Sequence, residues 1–267
     1  MKSRLILCVT TVTVMLLSAP LLGDLPSVGL IAHWKADGDF TEEIAGRDGS
    51  AVNGVGFIPG KFGQAFDLGF GGTTGYVSVP DDDVWTHGGD FTVSLWARWS
   101  QLATGTIGNP EDIFISHDNS GGTHPKWLFA KGGGKLNFHL NGPVPSEFLA
   151  QTDFTPELAT WYNLVVRREG DLFTIFVDGV EGSSELSSSA IPNASVPLMI
   201  GRGEAFRFDG GAIDDVAIYN LALSNADIEA IAAGGSVVPV PGAAVLGVIG
   251  ISMVGAYTRK RRLAHAA

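Results

Sequence analysis

Short stretches of the chain alternate apolar and polar residues, which is the pattern of β-strands that bury one face. Residues 135–141 place leucine or phenylalanine at every second position, and residues 91–99 alternate in the same way. Asp178-Gly179 follows a strand-forming run at 172–177 and is a two-residue hairpin signal. The remaining strands are expected at 31–35, 63–68, 75–79, 112–116, 126–130, 161–168, 197–201 and 212–219.

The spacing of these runs predicts an all-β protein. Turn-forming Gly, Asp and Asn separate the strands, and the chain has 36 glycines, so we expect an antiparallel β-sandwich. One short helix is expected near the C-terminal end of the body. Ser224 can cap it, Asp227 follows three residues later, and Gly234 comes after its end.

The N-terminal segment has the pattern of a secretory signal peptide. Lys2 and Arg4 precede an uncharged, largely apolar run at 5–22, so residues 1–23 are predicted to direct export. The alternative is a permanent N-terminal anchor. Cys8 is the only cysteine and lies inside this segment, so the exported chain would contain neither disulfides nor cysteine ligands.

The C-terminal segment is apolar and ends in positive charge. Pro239 and Pro241 precede an apolar run at 242–257, and Arg259–Arg262 is entirely basic. A helix of that length would span roughly 24 Å, which is short for a permanent membrane crossing. The positive-inside rule keeps both basic ends cytoplasmic and places the body outside.

The body between these segments is strongly acidic. The two ends hold six basic residues and no acids, which leaves 11 of the 17 basic residues and all 28 acidic residues in the body, a net charge of −17. Such a surface repels nucleic acid and anionic lipid, so we expect no nucleic-acid partner.

Several motifs occur in the order typical of one family. They are Pro59-Gly-Lys-Phe-Gly-Gln-Ala65, the strand from Trp161 that leads to Val177-Asp178-Gly179, and Ile213-Asp214-Asp215-Val216 followed by Leu223-Ser224. Together with neighbouring segments from about 29 to 232, they resemble laminin-G-like, concanavalin A-like jelly rolls. This resemblance implies one jelly-roll domain at 24–236.

The C-terminal tail, residues 237–267, resembles the PEP-CTERM sorting signal of bacterial exported proteins. Here Pro239-Val240-Pro241 stands where that family has Pro-Glu-Pro. The resemblance implies transient membrane insertion through a helix at about 242–257, and then cleavage by a sorting protease. The protein is therefore expected to be secreted or held at the cell surface. The alternative is an uncleaved C-terminal anchor.

The jelly-roll resemblance also implies a structural calcium ion between the first and last strands. The matching positions are Asp37 and Asp214, and Ca²⁺ takes carboxylate oxygens as ligands. In the alternative interpretation, Asp37 caps a turn, and Asp214 and Asp215 are solvated or hydrogen-bonded to backbone.

No catalytic motif is evident. The strands at 126–130 and 135–141 lack the carboxylate pair of jelly-roll glycosidases. The best remaining candidate is Ser116-His117-Asp118-Asn119, with His124 nearby, because a His beside an Asp can be a general base or a metal site. It falls in a turn-rich region, which favours a solvated loop instead.

These observations predict an exported, non-catalytic binding module that recognises extracellular carbohydrate or protein. Trp85, Trp99 and Trp127 are candidates for stacking on sugar rings, and core packing is their alternative role. Two other functions remain open. One is a polysaccharide hydrolase or lyase whose catalytic residues are unrecognised, and the other is a structural matrix protein.

Overall fold

A computed structural model describes residues 27–69, 75–102, 112–142, 144–203, 206–208 and 210–235. The predicted signal peptide (1–23) and the predicted sorting segment (237–267), with the apolar helix expected at about 242–257, lie outside the described residues. Within those residues, no helix has the length and apolarity needed to cross a membrane.

Seventeen strands and one α-helix form the described part of the chain. In chain order the strands β1–β17 are Leu30–Trp34, Ser50–Val52, Gly56–Pro59, Gln64–Asp67, Tyr76–Val79, Phe91–Trp99, Asp112–Asp118, Lys126–Gly132, Lys135–Asn141, Glu147–Asp153, Trp161–Glu169, Leu172–Val177, Val180–Leu186, Leu198–Ile200, Arg202–Gly203, Phe206–Arg207 and Gly211–Tyr219. A short 3₁₀ helix covers Asp83–Trp85, and helix α1 covers Asn225–Ala232.

The strands form two large antiparallel sheets. The eight-stranded sheet has the order β13-β12-β11-β6-β17-β4-β3, with β1 also paired to β17, and the seven-stranded sheet has the order β10-β9-β8-β7-β14-β5-β2. Strands β15 and β16 form a separate small hairpin. The predicted all-β antiparallel sandwich with one short helix is confirmed, and so is the pairing of the first and last strands.

Two short sequence motifs, the turn at Asp178-Gly179 and the helix cap at Ser224, form the local structures that were predicted for them. Asp178 and Gly179 both have positive φ, 49° and 79°, and reverse the chain between β12 and β13. At the start of α1, the Ser224 side chain accepts from the backbone N–H of Asp227, whose carboxylate accepts from the backbone N–H of Ser224. This capping box satisfies two backbone donors that a helix start otherwise leaves free.

The core between the sheets contains the three tryptophans that are candidates for stacking on sugar rings. Trp85, Trp99 and Trp127 are 0% exposed, so stacking on an external sugar is wrong for all three. Each indole N–H donates to an internal acceptor: Trp85 to the Pro80 carbonyl at 3.0 Å, Trp99 to Asp112 at 2.9 Å, and Trp127 to the Trp85 carbonyl at 2.7 Å. Buried indoles need such partners.

Candidate functional site

Asp214 lies in β17 and is completely buried. Its Oδ2 accepts from the backbone N–H groups of Lys61 and Phe62, at 2.7 and 2.9 Å. Its Oδ1 is buried and has no hydrogen-bond partner among the described residues. Burial raises the pKa of this carboxyl to about 7, and the neighbouring charge of Asp215 contributes, while the backbone hydrogen bonds oppose the shift.

Asp37 contacts the other end of the same turn, which covers residues 60–63 between β3 and β4. Its Oδ1 accepts from the backbone N–H of Gln64 at 2.8 Å. A Cβ at Gly60 would lie 2.6 Å from Asp214 Oδ2, and one at Gly63 would lie 1.9 Å from Asp37 Oδ1. Only glycine therefore allows both carboxylates to approach the backbone so closely.

The structure thus brings Asp37 and Asp214 to one turn, as backbone acceptors. These contacts agree with the alternative interpretation of the two residues. The unpartnered Oδ1 of Asp214 is nevertheless the type of atom that a cation takes as a ligand. No group of three or more His, Cys, Asp or Glu side chains in the described ranges has a metal-binding arrangement, so any Ca²⁺ here would need backbone carbonyl or water ligands as well.

The second sequence candidate, Ser116-His117-Asp118, lies in strand β7 rather than in a solvated loop, so that loop interpretation was wrong. His117 is fully buried. Its Nε2 lies 3.1 Å from Asp81 Oδ1 and 2.9 Å from the Val196 carbonyl, and burial lowers its pKa. Successive strand residues point to opposite faces, so Ser116 and Asp118 lie on the other side of the sheet and the three residues form no catalytic triad.

An open groove of about 570 Å³ lies where the edge strands β10 and β13 of the two sheets meet. We call it the serine groove, and its lining is Ser146, Glu147, Phe148, Leu149, Gln151, Glu185, Leu186, Ser187, Ser188 and Ser189. Hydroxyls and carboxylates dominate this lining, and none of these lining residues is basic. The groove therefore offers hydrogen-bond acceptors and hydroxyl donors to a ligand.

Side-chain contacts hold the groove in shape. The Glu147 carboxylate accepts from the hydroxyls of Ser187 and Ser189, at 2.5 and 2.6 Å. Glu185 accepts from the backbone N–H of Ala150 at 3.1 Å and so links β13 to β10. The ring of Phe148 stacks on His139 with centroids 4.2 Å apart.

His139 stands behind the groove rather than in it. It is nearly buried, and its Nδ1–H donates to the Glu147 carbonyl at 2.9 Å. This bond and the stacking on Phe148 fix two residues of the groove wall. No motif in the sequence marks the serine groove, because its two halves come from two edge strands that are far apart in the chain.

Solved structures resemble this fold at low sequence identity. Domain 4 of AbnA, a GH43 extracellular arabinanase from Geobacillus stearothermophilus, in complex with arabinotriose, is 18% identical with a TM-score of 0.63. The match covers 76% of this chain and 98% of that one. The binding domain of botulinum neurotoxin DC in complex with SialylT is 16% identical with a TM-score of 0.57, and the match covers 78% of this chain.

The match to the neurotoxin binding domain covers 52% of the neurotoxin chain. The binding domain of Paraclostridial Mosquitocidal Protein 1 is 15% identical with a TM-score of 0.57. That match covers 76% of this chain and 52% of the mosquitocidal protein chain. The present chain therefore spans about half the length of those domains. No curated protein matches the chain.

A family model described as the concanavalin A-like lectin/glucanases superfamily matches residues 70–229. This range is more than half of the chain and includes the strands from β5 to β17. The chain belongs to the concanavalin A-like lectin/glucanases superfamily.

Proposed function

We propose that this protein is an exported, non-catalytic binding module that recognises extracellular carbohydrate through the serine groove. The observation that carries the proposal is the lining of that groove: four serines, two carboxylates, one amide, one phenylalanine and two leucines on a single surface. Sugars present many hydroxyl donors and acceptors on a ring with apolar faces, so this mixture of polar groups and an aromatic side chain suits them.

The Glu147 carboxylate shows how a sugar would bind. Both of its oxygens already accept hydrogen bonds from hydroxyl groups, those of Ser187 and Ser189. Neighbouring hydroxyls of a sugar ring supply the same donors, and bonds to a charged acceptor are stronger than bonds between neutral groups. Because no lysine or arginine lines the groove, an uncharged glycan suits it better than an anionic one.

Structural relatives support a carbohydrate ligand. The arabinanase domain was solved with arabinotriose and the neurotoxin binding domain with SialylT. Their identities to this chain are below 20%, so their ligands suggest only the class of molecule to test. A protein ligand is the alternative for the same surface.

Replacing Glu147 by glutamine or Phe148 by alanine is expected to weaken glycan binding by about tenfold or more. Glu157→Gln is the matched control, because Glu157 is exposed and does not line the groove. The measurement is a glycan array followed by titration of the best ligand. Equal affinity of all four proteins would reject the serine groove, and an array without any hit would reject the carbohydrate.

A polysaccharide hydrolase is the second candidate function, because glycoside hydrolysis uses a pair of carboxyl groups and two carboxylates line this groove. Glu147 and Glu185 are the two carboxylates that line the groove. Release of reducing sugar from a bound polysaccharide, lost in Glu147→Gln and kept in Glu157→Gln, would favour an enzyme over a binding module. A structural matrix role would be favoured if neither binding nor turnover were found.

Export and sorting belong to the same proposal. The charge and hydropathy patterns of residues 1–23 and 237–267 support passage through the membrane, a pause there and cleavage by a sorting protease. Mass spectrometry of the extracellular protein is expected to find neither residues 1–23 nor Arg259–Arg262. An extracellular product that retains Arg262 would contradict the cleavage.

We also propose that the turn at 60–63 holds a structural calcium ion. Asp214 would supply its unpartnered Oδ1, and Asp37 would supply the carboxylate oxygen that does not bond Gln64. When bound, the ion would neutralise a buried carboxylate and tie the first strand to the last.

A further inference from the structure

The chain has two Asn-Gly pairs, Asn53-Gly54 and Asn141-Gly142. The side-chain amide of an asparagine can be attacked by the backbone nitrogen of the next residue. A following glycine favours this attack, because it has no side chain to hinder the approach. Asn141 is the last residue of β9, and the structure places the reacting groups of this second pair together.

The Asn141 side chain folds back onto the peptide bond that follows it. Its Oδ1 accepts a hydrogen bond from the backbone N–H of Gly142 at 2.8 Å. When this N–H loses its proton, the lone pair left on nitrogen points along the former hydrogen bond, toward the side-chain amide. Because Cγ carries Oδ1, the nucleophile and the carbon that it attacks are neighbours. Such alignment lowers the barrier of an intramolecular reaction.

A second contact fixes the orientation of the Asn141 amide. Its Nδ2 donates to the carbonyl oxygen of Gly122 at 2.7 Å, in the loop between β7 and β8. The amide is therefore held by one hydrogen bond at its oxygen and another at its nitrogen. Asn141 is only half-buried, so water reaches the side chain.

The fold itself requires glycine after Asn141. Gly142 has a positive φ of 29°, and a Cβ at this position would overlap the carbonyl oxygen of Thr123. Any other residue would thus clash with the loop that accepts the hydrogen bond from Asn141. The close approach of the two segments keeps a reactive dipeptide at this place.

We propose that Asn141 is a self-modifying site, at which the backbone nitrogen of Gly142 displaces the side-chain amide group and converts asparagine into aspartate and isoaspartate. The Gly142 nitrogen gives its proton to solvent and bonds to Cγ of Asn141. The bond between Cγ and Nδ2 breaks, and Nδ2 takes up a proton and leaves as ammonia. Water then opens the imide ring at either carbonyl, where its oxygen bonds to carbon and the ring nitrogen takes up a proton. Nothing is oxidised or reduced.

The reaction would remove the contact between β9 and the loop at 119–125. Both products carry a carboxylate, which has no hydrogen to donate and repels the Gly122 carbonyl oxygen. Isoaspartate also adds one carbon to the main chain at the point where Asn141 pairs with Lys126 of β8. The modification would therefore loosen the open end of the β8–β9 pair.

The test is incubation of the purified full chain in mildly alkaline buffer made with heavy-oxygen water, followed by peptide mapping in ordinary water. Uptake of heavy oxygen separates reaction during incubation from reaction during digestion. Asn53-Gly54 is the internal control, because it is the same dipeptide in an exposed turn. The rate at Asn141 relative to Asn53 is expected to be about tenfold higher in the folded protein than in urea. A ratio that folding does not raise, or an unmodified Asn141, would overturn the proposal.

Two variants with matched controls separate the reaction from its consequence. Asn141→Gln keeps the amide but needs a larger ring, so modification at 141 is expected to be lost while Asn53 still reacts. Asn141→Asp lacks the donor to Gly122 and is expected to lower the melting temperature. Asn53→Asp is its control, because aspartate tolerates positive φ as asparagine does.

The melting temperature of the incubated wild type is expected to approach that of Asn141→Asp. An Asn141→Asp variant that melts with the wild type would contradict the predicted loosening. None of these outcomes depends on glycan binding in the serine groove.

Discussion

Replacing Asp214 by asparagine is expected to stabilise the calcium-free protein at pH 8 by about 1–3 kcal/mol. Ionised Asp214 is buried, and its pKa of about 7 instead of 3.8 means that its charge costs about 4 kcal/mol, at 1.36 kcal/mol per pKa unit. Asparagine is neutral and keeps one oxygen for the N–H groups of Lys61 and Phe62. Its NH₂ group, left where Oδ1 has no partner, returns about 1–3 kcal/mol of the gain.

The pH dependence of Asp214 is a second readout of the same variant. Because its pKa is raised in the folded state, the folded protein binds more protons than the unfolded one between about pH 4 and pH 7. The contribution of Asp214 to the free energy of unfolding therefore falls as pH rises through this window and is constant above it. Denaturant unfolding of wild type and Asp214→Asn in EDTA at several pH values measures the difference between them. Parallel pH profiles would contradict the assignment.

Added calcium separates the electrostatic prediction from the metal proposal. If Ca²⁺ binds Asp214, it raises the melting temperature of the wild type by mass action and has little effect on Asp214→Asn. A wild type that melts at the same temperature in calcium and in EDTA would reject the metal site. The pH prediction for the calcium-free protein would then still stand.

Replacing His87 by leucine is expected to reduce the fall in the free energy of unfolding as the pH is lowered. Burial lowers the pKa of His87 to about 3 from 6.5, so between these values the unfolded chain binds a proton that the folded protein does not. The contribution of His87 is fully present above pH 6.5 and falls by about 1.4 kcal/mol per pH unit below it, which reaches about 4–5 kcal/mol near pH 3. Burial of His117 acts in the same direction.

His87→Leu removes this term, and His124→Leu is its control because His124 is exposed. The terms of Asp214 and His87 have opposite signs between about pH 4 and 6.5 and roughly cancel in the wild type. Asp214→Asn should therefore be more acid-sensitive than the wild type, and His87→Leu should be less so. Unfolding free energies across this range that rank the two variants in the opposite order would contradict both assignments.

The regular alternation of apolar and polar residues made most strands of the sandwich predictable. Each predicted strand has an observed counterpart whose ends differ by at most two residues, and the capping box at Ser224 marked the helix. Six observed strands were not predicted, namely β2, β3, β10, β13, β15 and β16. Strands β10 and β13 are edge strands with many partly exposed side chains and no regular alternation of apolar and polar residues. They are strands because their backbones pair with β9 and β12.

The same cause hid the serine groove, since its walls are those edge strands. Burial on both faces limited the sequence analysis elsewhere. Every residue of β8 is buried, so the order of apolar and polar residues could not show whether Trp127 lies in the core or at the surface. The family resemblance made the first and last strands neighbours, which the β1–β17 pairing confirms. Asp37 and Asp214 both contact the turn between β3 and β4, and the metal site itself stays a prediction.

The β1–β17 pairing also sets how the domain responds to mechanical load. Leu30, where the chain enters the fold, is paired with Tyr219, where the last strand leaves it. Tension on both ends of the chain would therefore break the hydrogen bonds of this pair one after another, like a zipper. Helix α1 packs over the same end through Ile228 and Ile231, beside Leu30 and Tyr219. Under tension the helix would therefore detach first, before the strands of the sandwich separate.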